Sequence, residues 1–236
     1  MSDILWRGRW ASSAGVVIEH RPVRTVPERV ARTLSVPGRD GALVFDEGRW
    51  ADVEVTYEVY LTGGDVLDAI SRLAAWIGGP GEGELRDTYD PAHFRIGRVV
   101  GNTEIADSYG KLGRTKLTWS CRPQRWLVVG SSPFEVENGG HVDNPTAFTA
   151  KPLVKVTGSG SGALTIGSRS LSIASIPAGG LYIDSDMKDC YDANGTNMNN
   201  AVTLSGGWPE LPGGASSIGF GGGIAGVEIT PRFWEL

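Results

Sequence analysis

Val36-Pro37-Gly38-Arg39-Asp40-Gly41 joins two short apolar runs, residues 34–36 and 42–45. Proline fixes one φ angle near the value a turn needs, and Gly38 and Gly41 allow the positive φ of a tight reversal. The stretch therefore predicts a turn between two strands, with Arg39 and Asp40 as a charged tip. Upstream, Gly15-Val16-Val17-Ile18-Glu19 reads as an opening strand. Downstream, Asp46-Glu47-Gly48-Arg49-Trp50 leads into strict alternation at Val53, Val55, Tyr57, Val59 and Leu61, with Asp52, Glu54, Thr56, Glu58 and Tyr60 on the other face. Period two over this length is a half-buried strand, and it ends at Gly63-Gly64.

The one convincing helix follows, at about residues 65–77. Val66, Leu67, Ile70, Leu73, Ala74 and Ile77 recur at helical spacing and define an apolar face that packs on a sheet. Asp65 opens the helix as N-cap or first-turn acid, and Gly78-Gly79-Pro80-Gly81 stops it. Residues 94–100, 103–106 and 112–121 read as further strands. Gly130-Ser131-Ser132-Pro133 and Asn138-Gly139-Gly140 read as connecting structure, which sets a domain boundary near residue 140. Beyond it, short strands at 153–157, 163–166, 169–173, 180–183, 201–204, 217–220 and 226–230 alternate with Gly, Ser, Asn and Pro clusters, the pattern of a sandwich. The fold class is mainly β. A β-rich, barrel- or sandwich-like domain with one α-helix spans residues 1–140, and a β-sandwich spans 141–236.

Composition narrows the function. Thirty-four glycines and 13 prolines in 236 residues suit a turn-rich β architecture. Residues 1–129 carry as many acidic as basic groups, and residues 130–236 hold the whole net charge of −5. All the basic groups of the first part except Lys111 and Lys116 are arginine, the cation favoured in protein interfaces, so the balance suits subunit contacts rather than nucleic-acid binding. No run of 18 apolar residues spans a membrane, and the first 20 residues, with Asp3, Arg7 and Arg9, lack the apolar core of a signal peptide, so synthesis in the cytoplasm is expected. Cys121 and Cys190 are then expected as unpaired, partly buried thiols.

No motif carries chemistry. Gly158-Ser159-Gly160-Ser161-Gly162 lacks the Lys-Ser/Thr pair and helix of a phosphate loop and reads as a hairpin loop. Asp184, Asp186, Asp189 and Asp192 are crowded enough for calcium. The EF-hand pattern nevertheless fails, with Lys188, Asp189 and Gly195 at positions that require other residues, and solvated acids around a turn fit better. His20, His93 and His141 form no metal-binding pair, and no Gly-x-Ser-x-Gly elbow exists. Asn194-Gly195-Thr196, a formal glycosylation sequon, reads as an ordinary turn in a chain without a secretory signal. No catalytic residue, metal or cofactor is therefore assigned. Trp208, in Gly206-Gly207-Trp208-Pro209, is a candidate for stacking on a sugar ring, against burial at an edge or interface.

The ordered landmarks resemble the distal tail protein family of long-tailed (siphovirus-type) bacteriophages. The opening strand, the 36–41 turn and Asp46 to Trp50 are similar to the family's N-terminal domain. Asp143-Asn144-Pro145-Thr146, Lys151-Pro152-Leu153-Val154-Lys155-Val156, Asp184-Ser185-Asp186-Met187, Asn197-Met198-Asn199-Asn200, Gly207-Trp208-Pro209-Glu210-Leu211-Pro212-Gly213 and the closing Val227 to Leu236 resemble its C-terminal domain in order, while the stretch 78–90 is richer in glycine and less similar. The resemblance implies an N-terminal domain that forms a homohexameric ring around a channel, and a galectin-like β-sandwich that projects from it. It implies a non-enzymatic virion protein at the distal end of the tail, joining the tail-tube protein to a hub or tip protein, with DNA in transit only. The second domain would carry or dock receptor-binding proteins, or bind host glycans itself as an alternative function. A tail-associated hydrolase is a third class, without a readable acid/base pair. Arg39 and Asp40 become candidates for a protomer contact, against a plain salt bridge within the turn.

Overall fold

The computed structural model describes residues 2–108 and 112–236. The chain forms two compact units, one running to Arg125 and including Leu236, the other Trp126–Glu235. Around the segments 130–133 and 138–140, read as connecting structure, residues 134–136 and 141–144 are strands held by a partner near the end of the chain, a pairing with no local signature.

The first unit holds β1 (Ile4–Trp6), β2 (Arg9–Trp10), β3 (Val16–His20), β4 (Arg29–Leu34), β5 (Leu43–Trp50), β6 (Val53–Leu61), α1 (Val66–Ile77), β7 (Gly83–Asp87), β8 (His93–Val100), β9 (Ala106–Ser108) and β10 (Leu112–Cys121). Its main sheet runs β2-β1-β7-β8-β10-β6-β3, with β9 also on β10, all pairs antiparallel. Strand β10 matches its sequence reading at both ends, and β6 buries Val53, Tyr57, Val59 and Leu61 as the alternation requires. The strand read at 103–106 begins only at Ala106.

One aromatic cluster organises this core. Trp119, fully buried on β10, meets Trp6, Tyr57 and Trp76 edge-on, with ring centroids at 5.9, 5.6 and 6.2 Å. Edge-to-face packing sets the rings' quadrupoles favourably and adds to the gain from burial. It also fixes the roll of α1. The helix buries Val66, Ala69, Leu73 and Trp76, while Leu67, assigned to the apolar face, stays 73% exposed. Trp76 is the largest side chain on the helix, and its indole N–H donates to the Arg9 carbonyl at 2.9 Å, so it dictates which stripe turns inward. Asp65 occupies the N-cap position without a side-chain capping bond.

The glycine-rich stretch after α1 has a specific cause. Arg7, at φ +49°, lies over the Trp6 ring at 5.0 Å and donates to the carbonyls of Pro80 and Gly81. A Cβ on Gly83 would sit 2.5 Å from Arg7 Cγ, so the chain can wrap this guanidinium only where side chains are missing.

A short strand, β11 (Arg125–Leu127), carries the chain into the second unit, which holds β12 (Phe134–Val136), β13 (His141–Asn144), β14 (Leu153–Ile166), β15 (Arg169–Ile176), β16 (Leu181–Asp184), β17 (Asp189–Asp192), β18 (Val202–Ser205), β19 (Gly214–Thr230) and β20 (Trp234–Glu235). Strands β14 and β19 pair along nearly their whole length, with register shifts at Gly158 and Gly162. Below the shifts they are flanked by β16–β17 and β12; above them, by β15–β18 and β13. The result is two five-stranded leaves sharing two long, bent strands. Val154, Val156, Ile183 and Ile229 of one leaf and Leu164, Ile166, Leu171 and Ile218 of the other close one core. The glycine segment read as a hairpin loop is therefore the bend of a sandwich. At Gly158 (φ +146°) an added Cβ would collide with the Gly223 carbonyl, so glycine on both strands lets the backbones pass at the corner.

Replacing Trp119 by alanine is expected to cost about 3–5 kcal/mol in urea unfolding followed by tryptophan fluorescence. Gly158→Val is expected to destabilise the second unit and to leave the first unit's transition unchanged.

Candidate functional site

The turn at 36–41 caps a hairpin that leaves the first unit. Strands β4 and β5 pair with each other and with no other strand. Arg39 N–H donates to Val36 O at 3.2 Å, with Pro37 second and Gly38 (φ +78°) third, as in a type II turn. Residues 31–42 are all exposed, and so are Val44 (67%) and Phe45 (54%). A lone two-stranded hairpin is marginal in water, and apolar side chains left open on it mark a contact surface. Arg29 pairs with Asp46 at 2.8 Å and lies over the Trp50 ring, while Glu47 receives Arg32 and Arg49 at 2.7 and 3.0 Å. These exposed pairs align the two strands but are screened by water and salt, so they do not replace a core. At the tip, Arg39 and Asp40 pair neither with each other nor with any other described residue; the turn salt bridge is not formed.

At the root of this arm, residues 22–26 wall a cavity of about 110 Å³ inside the first unit. Its other walls include Val53, Val55 and Tyr57 of β6, Leu85 and Asp87 of β7, and His93, Phe94 and Arg95 of β8. Asp90 ties the wall together. Its Oδ2 accepts from Arg24 Nη1 and Arg125 Nη2, both at 2.7 Å, and its Oδ1 lies 2.8 Å from His93 Nδ1. Burial pushes the Asp90 carboxyl up, but the bonds from His93, Arg24 and Arg125 outweigh it and hold the pKa at about 2. Tyr57 donates to Asp87 Oδ2 at 2.7 Å; burial, and then the Asp87 charge, raise the phenol so that it stays a donor. Arg95 is different. Its Nη1 donates to the carbonyls of Arg122 and Pro123 at 3.4 and 3.1 Å, and no described residue accepts from its Nε or Nη2. Burial, with the nearby charges of Arg125 and Arg24, lowers its pKa from the ordinary guanidinium value. Sequence reading passed over this cluster because its members come from five separate segments, of which only residues 87–95 lie close together in the chain.

In the second unit, Trp208 is half-buried and packs against the sandwich core, so its ring is not a free stacking face. The crowded acids act as internal acceptors. Asp184, 2% exposed, takes both Arg232 guanidinium nitrogens at 2.7 and 2.8 Å and the N–H groups of Asp186 and Met187. Asp189 Oδ1 accepts from the amides of Asn197 and Asn199, and Asp192 Oδ1 from the N–H groups of Asn194 and Thr196. Among the described residues, no three His, Cys, Asp or Glu side chains are grouped to hold a metal. Cys121 and Cys190 are free and buried, and burial pushes their thiols up to about 12 and about 11, away from reactivity.

Among solved structures the chain is similar to the Dit protein (gp 19.1) of phage SPP1, described as a paradigm of the hub adsorption apparatus of phages that infect Gram-positive hosts. The match covers 100% of both chains with a TM-score of 0.76, at 14% sequence identity. No family model and no curated protein sequence matches the chain.

Two outcomes test the geometry. Asp90 has a depressed folded-state pKa, so its contribution to stability is complete above about pH 4 and is lost as pH falls toward 2. Hydrogen-exchange protection of residues 22–26 should fall over that window, and at neutral pH trypsin should cleave after Arg24 faster in Asp90→Asn than in the native chain. Removing one partner of the buried Arg232–Asp184 pair, by Asp184→Asn, is expected to cost about 3–5 kcal/mol in chemical denaturation.

Proposed function

We propose that this chain is a structural virion protein, an adaptor at the distal end of a phage tail. The supporting observation is the end-to-end fold match to a tail hub protein. In this reading the first unit assembles into a homohexameric ring between the tail-tube protein and a hub or tip protein, and DNA passes through the channel. The charge-balanced surface of that unit suits such contacts and would not retain DNA. The second, acidic unit is the galectin-like sandwich that docks receptor-binding components. The protein is made in the host cytoplasm and resides in the virion. It has no enzymatic activity and no cofactor.

The exposed arm supplies a physical reason for assembly. A surface that is marginal alone and carries open apolar side chains is stabilised by a neighbour, and a head-to-tail contact that closes on itself gives a ring. Arg39 and Asp40 at its tip are the protomer-contact residues in this reading. Direct glycan binding is the weaker alternative, since Trp208 is engaged with its own core.

Full-length protein, alone and mixed with its tail-tube protein, is expected to give six-fold rings in negative-stain images and a hexamer mass by light scattering. A monomer under both conditions, together with selective binding on a glycan array, would reject the adaptor reading.

A further inference from the structure

Asp40 and Arg95 carry opposite charge, and neither makes an ion pair among the described residues. Asp40 stands at the arm tip with no partner among the described residues. Arg95 lines the cavity at the arm root, with Nε and Nη2 lacking an acceptor among the described residues. Asp87 and Asp90 line the same cavity, but Arg95 bonds to neither, and its planar fork suits a further carboxylate bidentately. The neighbouring Arg24 and Arg125, both bonded to Asp90, add positive charge. Val53, Val55 and Phe94 provide an apolar wall for the stem of an entering side chain.

The arm cannot satisfy its own cavity. Residues 22–26 wall the cavity at the arm's root, and the six residues of β4 alone extend roughly 20 Å at strand rise, which separates the tip from the root by about that length of hairpin.

We propose that this cavity is a carboxylate-binding socket, and that its occupant is Asp40 from the arm tip of a second copy of the chain. The contact rests on the proposed assembly and specifies its chemistry. Tip and socket lie on different surfaces of one protomer, so the interface is heterologous and every copy both gives and receives. Pro37 and the two flanking glycines fix the presentation of Asp40, and Asp90 positions the socket wall by holding Arg24 and Arg125.

The test is a charge swap in full-length protein, read by sedimentation velocity and negative stain over a concentration series. Asp40→Lys and Arg95→Glu are each expected to weaken self-association by tenfold or more, and the double variant to recover most of it. Asp40 is exposed and Asp40→Lys leaves the fold intact, so its result stands even if Arg95→Glu unfolds; Arg95→Lys, which keeps the charge and loses the fork, should fall between. A chain carrying Asp40→Cys and Arg95→Cys should give a ladder of disulfide-linked multimers on mild oxidation, and each single cysteine variant should not. Rings that persist unchanged in Asp40→Lys would overturn the socket and leave the ring standing. A ladder without rings would keep the contact and overturn the closed hexamer. Absence of both the charge effect and the ladder rejects the socket outright.

Discussion

The edge-on contact of Trp119 with Trp6, Tyr57 and Trp76 is the constraint on which the first unit depends. It joins residues from four elements, β1, β6, α1 and β10, in one place. The roll of the helix follows from it, since Trp76 must face the sheet. The path of the loop after the helix follows too, because Arg7, stacked on Trp6, must be wrapped by a chain without side chains. Tyr57 extends the same cluster outward, its ring against Trp119 and its hydroxyl on Asp87 beside the cavity. Packing at the centre is thus continuous with the polar geometry at the root of the arm.

Rigidity and its absence are sharply partitioned. The sheet and helix bury large aromatic and aliphatic side chains, and the sandwich closes a core from both leaves. Between β3 and β6 the chain instead builds a hairpin whose side chains are nearly all in water. The Asp90 cluster stands where these regimes meet. It pins residues 22–26 through Arg24 and so fixes where the arm departs, without supporting the arm itself.

Much of this was legible in the sequence. Period-two alternation located β6, and the charged, glycine-flanked turn located the arm tip; the stop at Gly78 located the helix end. The physical limits of such reading are equally specific. Glycine clusters were read as loops, yet Gly158 to Gly162 lie inside a continuous strand, because a bend between two leaves and a hairpin make the same demand on the backbone. The helix face was misassigned because Leu67 counts as apolar while the indole N–H of Trp76 has an acceptor that only tertiary structure supplies. Strands β12 and β13 left no signal because they find their partner in β19. The Asp90 cluster and Arg95 were invisible because ionic constellations gathered from residues 22–26, β6, β7 with the loop after it, β8 and β11 leave no spacing pattern.

The open arm has a thermodynamic consequence. A hairpin that packs on nothing keeps conformational freedom in the free chain, and fixing it against a neighbour subtracts from the affinity of a first encounter. Two copies joined by one such contact would hold weakly. In a closed ring each protomer is held on both sides, and the last contact forms within one molecule, at an effective concentration in the range of mM. Short open chains are then the least stable species, and the population divides between free subunits and complete rings. In the proposed assembly, such a subunit would stay dispersed until enough copies gather to close the circle.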